Sequence, residues 1–492
     1  MADPAAGEVV LGIDVGTQGA RVLAVGPGGQ VAASAQVSFD LRTFQPGAQI
    51  LPPGWFEQHP RSWWEAVTGC LRQVMAALPA GTHVAGISVD STSGTILPVD
   101  ASGEPLHPAL MYNDQRSEGQ ARAVQAAAQD HQQRFGYVFG SSYALPKIVW
   151  FQQVRPEVYA RARAFIHAAD FIAGRLTGEY FVSDTSNALK TGYDLLDLRW
   201  PDFIERDLGI RRDLLPDVVL PGQGLGRVTP AAARETGLPE GTVVLAGATD
   251  GTAAQIASGA AQVGEWNTTL GTTLVMKGVS RQLKPDPLGR VYFHRHPEGW
   301  WMPGGASNTG ADWILKDHPG ANLDELNERA APLAPTGLVR YPLLKNGERF
   351  PFASAAARGF VLGRPSSELE MFVAGLEGVA LLERLAFETL AQIGLEVGSQ
   401  VFITGGGAKS RLWSRIRASA LHKSLVKPAV TETAFGAAVL AASGCWYSTL
   451  SEAAARMVRA AETIDPEPSW QAPYEDRYHR FVEELKTRGY LA

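Results

Sequence analysis

The feature that most restricts this chain is a strand–turn–strand pattern that occurs twice. Residues 9–25 read VVLGIDVGTQGARVLAV: an apolar β-branched run, a polar bend with Asp14, Gly16, Thr17 and Gly19, then a second apolar run, as in a hairpin. Glycine lets the bend turn sharply and bring backbone N–H groups against a ligand, while Thr17 and Gln18 add side-chain donors; such donors suit phosphate oxygens. Asp14 could hold a divalent cation through water. Alone, the segment reads equally well as an ordinary hairpin with an aspartate in its turn. The second copy, EWNTTLGTTLVMK at residues 265–277, sets Thr269, Leu270, Gly271, Thr272 and Thr273 where the first has Asp14, Val15, Gly16, Thr17 and Gln18. One acidic and one hydroxyl-rich hairpin, one in each half of the chain, predict two grips on phosphate: Gly16, Thr17 and Gln18, and Gly271, Thr272 and Thr273.

Paired hairpins of this kind resemble those of the actin-like ATPase fold, in which two related domains close on a nucleotide. Length agrees, since 492 residues exceed a single core and suggest two or three domains. A net charge of -6 gives no general attraction to nucleic acid or anionic membrane. Cys70 and Cys445, the two cysteines, form neither a disulfide framework nor a metal knuckle, which fits a reducing cytoplasm. The first ten residues lack signal-peptide character. The longest uncharged run, residues 433–450, is short and weakly apolar for a membrane span and reads as a buried helix.

Residues 44–60 are proline-rich, with Pro46, Pro52 and Pro53, and end in GWFEQHP; Trp55 and Glu57 there are either part of a surface connection or lining of a polar pocket. RSWWEAVTGCLRQVMAAL has helical spacing. A strand over 84–89 leads into Asp90, Ser91, Thr92, Ser93 and Gly94, and ALMYNDQRS puts Asn113, Asp114 and Arg116 just after another strand, alternating so as to turn polar groups into one cleft. Residues 136–153, with Lys147 and Trp150, read as a helix packed behind the site rather than in direct substrate contact, residues 166–178 as a helix ended by glycine, and Asp184, Ser186 and Asn187 either cap a helix or shape the pocket, capping being the reading preferred. VVLAGATDG at 243–251 is a buried strand running into a helix, and Asp250 at that turn either caps the helix or faces a ligand beyond the sheet edge. Residues 301–315 and 401–421 each pass from a strand through a glycine turn into a helix, and the glycines at 405–407 permit close approach of a flat ring. There is no GxxxxGK[ST] loop, and GGGAKS has the wrong spacing for one.

The ordered succession of the first hairpin, GWFEQHPRSWW, GISVDSTSGT, ALMYNDQRS, LPKIVWFQ, HAADFIAGRLTGEYFVSDTSNALKTGYD, GATDGTAAQIASG, NTTLGTT and TGGGAKSRLWSRI resembles the FGGY carbohydrate kinases over about residues 9–478. One departure is Ala144, where Pro, Ser or Thr is usual. The resemblance implies an α/β chain of two actin-like (ribonuclease H-like) domains, 1–256 for sugar and 257–492 for nucleotide, with a cleft between them, a hinge near residue 255 and closure on both substrates. It implies Asp250 as the general base that accepts the proton of a sugar hydroxyl attacking the γ-phosphorus of ATP. It also implies Mg²⁺ near Asp14 and Asp250, adenosine contacts from Gly310, Gly405, Gly406, Gly407 and Ala408, and passage of the 433–444 helix close under the nucleotide.

Substrate contacts are expected from Asp14, Thr92, Ser93, Asn113, Asp114 and Asp250, with Gln18 and Arg21 at the junction with the phosphates. VDSTSGT and ALMYND are similar to the D-ribulokinase branch, and the QMHG segment usual in bacterial D-xylulokinases is absent at 90–94. D-ribulose is therefore the expected substrate, with D-xylulose or another FGGY sugar or polyol as alternative. Two other classes remain: an actin-like ATPase, which would lack the sugar-kinase segments, and a catalytically silent sugar-binding protein, which would lose Asp250 or the hairpin glycines. Expected partners are the sugar and ATP, with a homodimer as an option and neither nucleic acid nor membrane; the expected location is cytoplasmic.

Overall fold

The apolar run that opens the chain becomes the centre of a sheet. In the computed structural model, which describes residues 7–39 and 51–491, β1 (Glu8–Val15), β2 (Gly19–Val25) and β3 (Val31–Ser38) form an antiparallel meander. β4 (His83–Ser91) lies parallel to β1 on its other side, β6 (Val243–Thr249) is parallel to β4, and β5 (Gly224–Arg227) closes the edge antiparallel, giving the order β5-β6-β4-β1-β2-β3. β1, β4 and β6 are apolar almost throughout, as strands covered on both faces must be. Phe44 and Pro46 of the proline-rich stretch lie outside the described residues.

Two compact units divide the chain: Met1–Ala257 with His294–Gly299 and Val430–Val458, and Ser258–Phe293 with Trp300–Ala429 and Arg459–Ala492. Both are discontinuous, whereas the sequence reading divides the chain once, after residue 256. The helix Thr433–Cys445, expected beneath the nucleotide, belongs to the first unit and packs on β1 and β4. Its small residues let its backbone lie directly on the sheet: a Cβ on Gly12 of β1 would come within 1.8 Å of the Ala434 carbonyl oxygen. Its lack of charge reflects burial under that sheet.

The second unit repeats the plan. β7 (Trp266–Leu270) and β8 (Leu274–Gly278) form the second hairpin, and β9 (Val291–Arg295), β10 (Trp301–Ala306), β11 (Gln400–Thr404), β12 (Ser424–Pro428) and β13 (Ala460–Ile464) complete a sheet of order β9-β10-β8-β7-β11-β12-β13. Just as β1 has β2 antiparallel on one side and β4 parallel on the other, β7 has β8 antiparallel and β11 parallel. The long helix Glu368–Ile393 and the helix Arg411–Leu421 pack together, pinned where Trp413 Nε1 donates to the Leu376 carbonyl at 2.9 Å.

Candidate active site

In the first unit, three parallel strands end in aspartate. Asp14 in β1 is in register with Asp90 in β4, which in turn pairs with Ala248 of β6, and Asp250 follows β6 directly. Carboxyl ends of parallel strands are where open α/β sheets bind ligands. Asp90 is fully buried, and neither oxygen of its charged form has a donor among the described residues. Burial first, then the charge of Asp14 and a hydrogen bond with it, then the charge of Asp250, hold the Asp90 carboxyl well above the usual carboxylate range. Sequence reading passed over Asp90 as a site residue; the signal was there, since LGID, ISVD and GATD are all apolar strands closing on Asp.

Asp250 is partly exposed at the N-terminus of the helix Asp250–Ser258, and its Oδ1 accepts the Gly251 N–H at 2.6 Å. A triangle of hydroxyls adjoins it. Ser186 Oγ lies 2.9 Å from Thr249 Oγ1 and 3.1 Å from Thr252 Oγ1, the two threonines are 3.0 Å apart, and Ser186 also accepts the Thr249 N–H. Asp184 caps the short helix that carries Ser186, as expected. The strand-to-helix turn at Asp250 is thereby tied to a separate loop.

The first hairpin's turn is closed by the Gly16 N–H on the Gly19 carbonyl, 3.0 Å, and braced by Gln58 Nε2 on the Thr17 carbonyl, 2.7 Å, leaving the Thr17 and Gln18 side chains exposed. Arg21 is engaged elsewhere: its guanidinium donates to Gln36 Oε1 on β3 and lies 3.9 Å from Glu432. Thr92 is buried, with its hydroxyl 2.8 Å from that of Thr95, and Ser93 Oγ is buried with no hydrogen-bond partner among the described residues. Asn113 is exposed, whereas Asp114 is fully buried, accepting from the Phe56 N–H and bidentately from Arg116, which also reaches Glu57 and stacks on Trp55 at 3.9 Å. That is the geometry of a strut that fixes the 55–57 and 113–116 loops. Lys147 does similar work from the helix Ala144–Val154. Its ammonium, fully buried, donates to the Gly94 and Met111 carbonyls at 2.8 Å each, and burial lowers its pKa to about 7.

The second unit holds a cavity of about 400 Å³. Its walls include Leu270, Gly271 and Thr272 from the hairpin, Gly406 and Gly407 from the turn after β11, and Phe372 from the long helix. A mostly apolar slot with a few polar groups on its walls, among them Thr272, Asn327 and Lys409, suits a flat base attached to something charged. Gly405, with φ +83°, and Gly310 are packing glycines: a Cβ on either would sit 2.7 Å or less from backbone atoms of Leu270 or Thr272. Ala408 is buried, and neither it nor Gly310 nor Gly405 lines the cavity. Gly271 N–H closes the second turn on the Thr273 carbonyl, 3.0 Å.

Comparison with known proteins agrees with this layout. The chain matches the N-terminal domain of the FGGY family of carbohydrate kinases over residues 9–257 and the C-terminal domain over residues 266–445. It is 27% identical to a xylulose kinase of Bacillus subtilis (strain 168), covering 93% of this chain and 92% of that protein, and 26% identical to a gluconokinase of the same organism, covering 88% and 86%. The crystal structure of xylulose kinase from Rhodospirillum rubrum superposes with a TM-score of 0.85 at 26% identity, covering 97% of this chain and 98% of that one. The doubled hairpin, the two sheets and the whole-length match make this chain a member of the FGGY family of carbohydrate kinases, with the actin-like ATPase fold.

Proposed function

We propose that this kinase transfers the γ-phosphoryl group of ATP to a terminal hydroxyl of a ketopentose, with D-xylulose ahead of D-ribulose. The reading from VDSTSGT and ALMYND favoured D-ribulose; that order is reversed because several relatives matched over nearly their full length are named xylulose kinases. One observation speaks against the aldonate that the gluconokinase relatives would suggest. Two basic groups at the sugar loops, Lys147 and Arg116, are buried and committed to carbonyls and carboxylates, while Asp14 and Asp250 make the strand ends acidic. A neutral sugar enters such a field at lower cost than a carboxylate does.

In this reading Asp250 takes the proton of the sugar hydroxyl, that oxygen bonds to the γ-phosphorus, and the bond to the β–γ bridging oxygen breaks, releasing ADP. The 16–18 and 271–273 turns supply N–H and hydroxyl donors to phosphate oxygens. Thr92, Ser93 and Asn113 belong to the sugar end, and Gly406 and Gly407 to the adenosine end. Among the described residues no cluster of three or more His, Cys, Asp or Glu side chains is disposed to hold a metal. Mg²⁺ that travels with a nucleotide needs only one or two carboxylates besides phosphate and water, and Asp14 and Asp250 fit that need. Bound there, it would neutralise charge on the transferred group.

The test is ATP consumption with D-xylulose, D-ribulose, gluconate, glycerol and no acceptor, with the product identified by NMR. The highest kcat/KM is expected for D-xylulose, giving a terminal phosphate ester. A preference for gluconate, or ATP hydrolysis indifferent to sugar, would overturn the proposal.

A further inference from the structure

Glu348 stands in a loop that neither the sugar nor the nucleotide reading uses, yet it is 5% exposed and accepts five hydrogen bonds. Oε1 takes the backbone N–H of Asn308 at 2.6 Å and of Arg349 at 2.9 Å. Oε2 takes the hydroxyls of Ser307 at 2.8 Å, Thr309 at 3.0 Å and Tyr341 at 2.8 Å. Three of the five donors come from consecutive residues, 307–309. A buried carboxylate so fully satisfied is a rigid centre, since charge-assisted bonds are shorter and stronger than neutral ones.

The segment it holds is in turn bonded to both sides of the second hairpin's turn. Ser307 N–H donates to the Leu274 carbonyl at 2.9 Å, Leu274 N–H to the Thr309 carbonyl at 2.9 Å, and Ala311 N–H to the Gly271 carbonyl at 2.8 Å. Between these bonds sits Gly310, so close to the hairpin that a Cβ there would lie 2.5 Å from the Thr272 carbonyl oxygen. The segment 307–311 is thus a splint along residues 271–274, and Glu348 is the anchor of the splint.

We propose that Glu348 is a positioning residue for triphosphate binding: through Ser307, Asn308 and Thr309 it fixes the direction in which the 271–273 turn presents its donors. The proposal rests on the reading of that turn as a phosphate grip. Gly271 and Thr272 of the turn also form one wall of the cavity, whose other walls include Phe372, Gly406 and Gly407, so loss of Glu348 weighs on the phosphate contacts more heavily than on the base.

Calorimetric binding of a non-hydrolysable ATP analogue and of adenosine to the full chain tests it. In E348A the analogue is expected to bind roughly 10- to 100-fold more weakly, with adenosine weakened by less than about threefold. E348Q keeps an oxygen for the two backbone N–H groups and an amide for hydroxyls that can rotate to accept, so it is expected to recover most of the loss. KM for ATP should rise in E348A while KM for the sugar stays. An equal loss for both ligands would mean that Glu348 merely supports the unit, and no loss for either would mean that the turn holds its shape alone; either overturns the proposal. Should E348A fail to fold, S307A/T309V is expected to shift the same ratio, and an equal shift of adenosine is again the overturning result. If the wild-type chain binds the analogue no tighter than adenosine, the phosphate grip itself is refuted, an outcome visible before any variant is made.

Discussion

The two hairpins invite direct comparison, because each leading strand ends in a short turn closed by a glycine N–H and their neighbours run in the same directions. In the first unit the penultimate residue of the leading strand is Asp14, in register with Asp90 across the parallel neighbour. In the second it is Thr269, in register with Thr404, and the two hydroxyls are 2.7 Å apart. One framework therefore carries a pair of carboxyls in one place and a pair of threonines in the other. Two carboxyls in contact cannot both be charged without a cation or a proton between them, so the first position is costly and suited to chemistry. Two threonines satisfy each other and cost nothing, so the second is suited to holding. On the proposed reading the carboxyl pair belongs to the reaction and the threonine pair to holding, while both turns carry donors for phosphate.

The largest effect that could break this division is expected at Asp250. Asn at that position keeps the shape and removes the base, so D250N should lower kcat by about 10²- to 10⁴-fold with little change in ATP affinity. Steady-state kinetics beside equilibrium ATP binding would check it; a variant that turns over normally, or one that simply loses ATP, moves the chemistry elsewhere. Next is the exchange that makes the first hairpin like the second. D14T is expected to cost about 10- to 100-fold in kcat, whereas T269V, which removes a hydroxyl from the threonine pair, should alter kcat by less than about threefold. Similar losses in the two variants would mean that the hairpins share the work equally.

What could be read from sequence was whatever lies within one turn of chain. Both hairpins, the strand-to-helix turn at Asp250 and the glycine that ends the helix Ala168–Thr177 are local, and each appears where expected. Relations across the sheet were not legible. Asp90 becomes important because β4 lies parallel to β1 in one particular register, which no local pattern specifies. Asp114 looked like a ligand contact for the same reason that it is a good strut: a carboxylate after a strand serves either, and only the position of Arg116 decides. The helix over 433–445 was visible, but its small residues say only that something passes close, not that β1 and β4 are what it covers. Glu348 gave no signal because the three partners that make it an anchor, Ser307, Asn308 and Thr309, lie 41, 40 and 39 residues away in sequence.

The smallest expected effect concerns buried titratable groups, whose signs differ from site to site. His131 in the first unit sits among Phe135, Tyr137, Phe139 and Phe203, and burial lowers its pKa from 6.5 to about 4. Above pH 6.5 it is neutral folded or unfolded and has no effect; as pH falls towards 4 the unfolded chain takes a proton that the folded one refuses, so stability is lost. The gap corresponds to roughly 3 kcal/mol at pH 4. Glu377 in the second unit, which accepts from Thr336 and Tyr474, is raised by burial to about 7; its cost is full above that pH and fades as the pH falls, so acid relieves it. Asp184, raised to about 6, and Asp170 act in the same sense as Glu377 inside the first unit, so the overall pH slope mixes signs and single sites must be isolated. H131F/Y137F does this by removing the imidazole together with the phenol oxygen 2.9 Å from its Nε2, leaving no orphaned partner. Urea midpoints of the variant and the parent should differ little at pH 8, and by pH 4.5 the parent should have lost up to about 2–3 kcal/mol more. Parallel loss in both chains would mean that His131 takes up its proton inside the folded aromatic nest, so that burial there carries no acid penalty.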